Sequence, residues 1–78
     1  MKYRFDYSKL KGRIKEKCDT QANFAKAIGL SEQVLSKRLK NQVQFDSNEI
    51  CKIVEVLEIA PEEINDYFFK EIVEKTQQ

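Results

Sequence analysis

Gln33, Ser36, Lys37 and Lys40 share one face of a helix if residues 31–41 wind at about 3.6 residues per turn. Amides, a hydroxyl and ammonium groups together are the donors and acceptors that meet base edges and phosphates. Leu35 and Leu39 fall on the opposite side and would anchor that face from behind. An ordinary solvated helix carries the same residue types, so the surrounding elements must decide between the two. Other chemistries have little to build on. The chain has no histidine, no Cys-x-x-Cys spacing and no glycine-rich phosphate loop, so neither an enzyme, a metal site nor a cofactor is expected.

Charge is divided along the chain. Residues 1–40 hold eleven of the fourteen Lys/Arg and four of the thirteen acids, a balance of +7, whereas residues 41–78 balance at −6, leaving the net +1. Such a split implies one face that attracts a polyanion and another with a different task. At 78 residues the sequence reads as a single domain, with its core over about 7–69 and a C-terminal extension over 70–78. No apolar run approaches the roughly 20 residues that span a bilayer, and MKYRFDYSKLKG has no apolar signal region. A cytoplasmic protein without membrane contact is expected, with Cys18 and Cys51 reduced and buried.

Five helical segments position the polar face, and no alternating run marks a strand. Tyr7, Leu10, Ile14 and Cys18 form the first stripe, over about Tyr7–Lys17. Thr20 caps a second segment that buries Phe24, Ala25 and Ile28, and Gly29 ends it in the left-handed conformation. Ser31 caps the third. The joint Gly29-Leu30-Ser31 is too short for an antiparallel return and predicts a steep helix-turn-helix, with small Ala25 at the close approach. Asp46 and Glu49 have capping-box spacing ahead of Ile50, Ile53, Val54 and Leu57. Pro61 opens the last segment, whose apolar residues continue through Ile64, Tyr67, Phe68, Phe69, Ile72 and Val73 as one long helix or two short ones.

With these residues in place, QANFAKAIGLSEQVLSKRLKN resembles the helix-turn-helix of lambda-repressor-like (XRE) DNA-binding proteins. The likeness runs from about Ser8 to Phe69 and is strongest to short Cro-like repressors of phages and prophages. It rests on Gln21, Ala25, Ile28, Gly29, Leu30-Ser31 and Leu35, with ICKIVEVL and APEEINDYFF as the remaining helices. The resemblance implies an all-α, five-helix fold and a transcriptional regulator binding double-stranded operator DNA as a homodimer. It places Gln21 on the DNA backbone, and Ser31, Glu32 and Gln33 at the base-reading end of the recognition helix. Ser36 and Lys37 lie one turn further, while Lys40 and Asn41 meet phosphates. Glu32 would accept from a cytosine or complement its helix N-terminus. Arg38 departs from the family pattern, which has an apolar residue there, and Gln42 replaces a common glycine.

A rival reading keeps the fold but binds a protein, as an antitoxin or antirepressor-like modulator docking through the acidic half. Phe69, Ile72 and Val73 are more apolar groups than one small core needs, and a homodimer contact is expected of them.

Overall fold

The first stripe forms α1, Ser8–Cys18, in the computed structural model, which describes residues 4–72. Leu10 and Ile14 lie one turn apart and are buried, with Tyr7 buried just ahead of them. Asp6 accepts the Ser8 N–H at 2.9 Å and so satisfies one orphan donor of the first turn. The Ser8 hydrogen bonds hold the Asp6 carboxyl below its ordinary range. Helix α2, Gln21–Ile28, buries Phe24, Ala25 and Ile28, and α3, Glu32–Leu39, buries Leu35 and Leu39. Both expected caps form: Thr20 Oγ1 accepts the Asn23 N–H and Ser31 Oγ accepts the Val34 N–H.

Gly29 ends α2 at φ 76°, and the Leu30 N–H reaches back to the Ala25 carbonyl at 2.9 Å. A Cβ at Gly29 would meet no atom within 4 Å, so the need for glycine there is conformational. Gly29→Ala is therefore expected to cost about 1 kcal/mol, read as a lower midpoint in chemical denaturation with an unchanged slope.

The end of α3 uses an asparagine for the same purpose. Asn41 sits at φ 65°, its N–H bonding Arg38 O at 3.1 Å, while the Gln42 N–H bonds Lys37 O at 2.9 Å. This is the paired closure of a Schellman motif, in which asparagine tolerates the left-handed position better than most residues.

Helix α4, Ser47–Leu57, opens with the predicted capping box between Asp46 and Glu49. It closes at Glu58, φ 55°, after which the Ile59 N–H bonds Val54 O at 3.1 Å. Ile59 is buried just beyond the helix end, the hydrophobic contact that accompanies such closures. Arg13 reaches across from α1 and donates its Nε–H to the Leu57 carbonyl at 2.9 Å, capping the negative end of α4 from outside.

The last segment differs from expectation. A 3-10 turn, Pro61–Glu63, leads into a short α5, Ile64–Phe68, and the helix stops there. The backbone then pairs antiparallel with the N-terminal segment, bridging Glu71 to Phe5, with the Ile72 N–H on Arg4 O at 3.0 Å. Phe69 packs edge-on against Phe5 at 5.8 Å between ring centres. Phe45, from the loop before α4, lies edge-on to Tyr7 at 5.5 Å and Phe68 at 5.7 Å. Aromatic closure of the core thus draws on the N-terminal segment as well as α5.

The architecture among the described residues is five α-helices around one core, with a single isolated bridge and no longer strand. No helix among them is long and apolar enough to cross a membrane. Both cysteines are free, as expected, but the expected burial needs correction: Cys18 is half-buried and Cys51 is exposed on α4.

The divided charge has a structural use. Lys9 pairs with Asp66 at 3.9 Å, Lys17 with Glu58 at 3.2 Å and Arg38 with Glu49 at 2.7 Å. Each pair joins the basic half to the acidic half. The first two are exposed enough to contribute little. Arg38 and Glu49 are different, with side chains only 16% and 12% exposed.

Candidate interaction surfaces

Gln33, Ser36, Lys37 and Lys40 are brought together as the helical spacing requires, and Gln42 joins them around one open hollow on α3. Leu35 and Leu39 hold this face from behind. No acid lines the hollow. Gln21, Ser31 and Glu32 are exposed but lie outside that group. Ser31 serves as the α3 cap, and Glu32 stands in the first turn of the helix, where its charge complements the helix dipole.

Two side chains turn away from the role of meeting a ligand. Asn41, expected at a phosphate, has its amide engaged with the N-terminal segment. Its Oδ1 accepts the Phe5 N–H at 2.8 Å and its Nδ2 donates to the Phe5 carbonyl at 3.0 Å. The amide mimics a neighbouring strand, spending its oxygen and one of its two N–H donors on Phe5. Asn41→Gly keeps the left-handed backbone and removes this link. It is expected to cost about 1 kcal/mol and to speed hydrogen exchange at the Phe5 amide, whereas Asn41→Ala adds backbone strain and should cost more.

Arg38 turns inward to α4. Its Nε and Nη2 donate to the two Glu49 carboxylate oxygens at 2.7 and 2.9 Å, a bidentate pair. Hydrogen bonding to Glu49 pushes the guanidinium pKa upward. Glu49 Oε1 also accepts the Asp46 N–H at 3.0 Å. One carboxylate therefore fixes the rotation of α3 and the start of α4 together. This accounts for the departure at Arg38: Leu39 supplies the apolar anchor and Arg38 supplies a clamp.

Three large apolar side chains are exposed among the described residues. Phe69 and Ile72, expected at a dimer contact, are 47% and 41% exposed, and Val43 is 43% exposed. Phe69 also packs against Phe5 within the chain. Val73 lies outside the described residues. The N-terminal segment beside these residues was missed, although Phe5 and Tyr7 alternating with Arg4 and Asp6 carry the period-two signal of an extended strand.

These features define a small helical domain with one basic, amide-bearing face and a few exposed apolar side chains. Residues 3–71 match the family described as protein of unknown function (DUF739), and the chain belongs to that family. No curated protein matches the sequence. A solved structure does: the solution structure of the modulator of repression (MOR) of the temperate bacteriophage TP901-1 from Lactococcus lactis. It is 52% identical with a TM-score of 0.75, covering 83% of this chain and 88% of that one. This overturns the resemblance to Cro-like repressors of the lambda-repressor-like (XRE) class, because a likeness at 52% identity is to a modulator of repression.

Proposed function

We propose that this chain is a phage or prophage regulator that modulates repression by binding another regulatory protein. The observation carrying this reading is the 52% identity, across 83% of the chain, to a phage modulator of repression. It acts by occupancy rather than catalysis.

The acidic half is a poorer docking surface than its sequence implied. Glu49, Glu58 and Asp66 are engaged by cations of the first half, and Asp46 and Glu63 accept backbone N–H groups. Exposed Phe69 and Ile72 are better suited to a protein partner, since interface cores are rich in aromatic and apolar groups and poor in charge. They take that role here in place of a contact between two copies.

A second reading has one observation in its favour. The α3 hollow groups Gln33, Ser36, Lys37, Lys40 and Gln42 without an acid. With α2 and the Gly29 turn read as a helix-turn-helix, these residues would face a DNA groove. In the main reading this face plays no part in sequence choice.

Calorimetry decides between them. The purified chain is titrated into the repressor of the phage or prophage that encodes it, without DNA, and separately into operator duplex. Saturable binding to the repressor is expected. Affinity for the duplex with none for the repressor would reverse the order of the two readings.

A further inference from the structure

Of the twelve cations among the described residues, four are matched to acids and eight take part in none of those pairs. Lys9, Arg13, Lys17 and Arg38 are matched to acids. Arg4, Lys11 and Lys40 take part in none of these pairs, and all three border one concavity. They come from the N-terminal segment, the first turn of α1 and the end of α3, so only the folded chain assembles them. The antiparallel bridge to Glu71 and the Asn41 amide hold the Arg4 segment in place.

The lining is mainly polar, and Phe5, Leu39 and Ile72 are its apolar part; Ile72 is 41% exposed. Asp6 is the carboxylate at the rim, and it already accepts the Ser8 N–H. A phosphodiester strand would satisfy the cations but offers nothing to cover Phe5 and Ile72. A polypeptide in which Asp or Glu alternates with Leu or Ile along one side satisfies both.

We infer that the hollow bounded by Arg4, Lys11 and Lys40 docks an acidic, amphipathic segment of the regulatory protein that this chain binds. The inference rests on the partner-binding reading and names its chemistry. Arg4 can grip a carboxylate through two parallel N–H bonds. Lys11 and Lys40 attract the segment from a distance, which makes association salt-dependent. Ile72 supplies the apolar contact at the centre.

The test compares two charge reversals of equal size. Lys11→Glu with Lys40→Glu changes the hollow, while Lys26→Glu with Lys52→Glu makes the same change on exposed positions of α2 and α4. Affinity for the repressor is measured by calorimetry at low and moderate salt, with thermal melts of each variant. The first pair is expected to weaken binding by at least about tenfold and to flatten its salt dependence, the second by no more than about twofold. Both should melt near the parent, and Lys11→Gln with Lys40→Gln gives a neutral check if the reversal unsettles the fold. Equal losses from both pairs, or full affinity after reversal in the hollow, would overturn the site and leave the partner reading intact. No binding by the parent chain would remove both. If reversal in the hollow weakens only binding to a duplex, the hollow meets phosphate and the inference fails.

Discussion

Phe24→Ala should remove a large share of the chain's stability. The Phe24 side chain is fully buried where α2 meets the core. Its removal is expected to cost about 3–5 kcal/mol, the lost burial plus the cavity left behind. A domain of this length holds only roughly 4–12 kcal/mol in total. Circular dichroism should show most of the helical signal lost, or a denaturation midpoint shifted far toward zero denaturant. A variant that melts within a few degrees of the parent would mean that α2 is not the centre of this core.

The second large effect falls on the Arg38–Glu49 clamp. Glu49→Ala removes both guanidinium contacts and the acceptor for the Asp46 N–H. It leaves a half-buried cation without a partner, at an expected cost of about 2–3 kcal/mol. Arg38→Met leaves the carboxylate with its Asp46 bond and should cost less. The double change Arg38→Met with Glu49→Met removes both charges and fills the space with apolar atoms. It should therefore lose clearly less than the two single changes added together, since no unpaired charge is left buried. Additive losses in urea denaturation would show that the two groups do not act as a unit. Folded double variant offers a further readout. If the clamp sets the rotation of α3, nuclear magnetic resonance shifts should change along Lys37–Gln42 while the α1 core stays as it was.

What the sequence made legible was mostly local. Thr20, Ser31 and the Asp46/Glu49 box carry their capping function in their side chains and their spacing, and each forms as expected. Gly29 was readable because few residues tolerate a positive φ at a helix end. The outward grouping of Gln33, Ser36, Lys37 and Lys40 followed from helical period alone. The misses depend on contacts between distant residues. Nothing local to Asn41 announces that its amide will engage Phe5, 36 positions away. The inward turn of Arg38 depends on Glu49 standing opposite it in another helix. The pairing of Phe5 with Glu71 joins the two ends of the described chain and ends α5 early. Charge has a long-range part as well: the −6 of the second half reads as a docking surface, and three of its nine acids also face cations of the first half. The family likeness misled differently, since a helix-turn-helix pattern records how two helices are joined and leaves open what their exposed face binds.

The proposed effect on repression through a protein partner is tested most directly by repressor occupancy of its operator. Operator duplex is saturated with the repressor proposed as the partner of this chain, and the chain is then added in increasing amounts. A change in occupancy that saturates with added chain, accompanied by a repressor–chain complex that also forms without DNA, is the predicted result. Occupancy that stays constant to a large excess, with no such complex in solution, would contradict it.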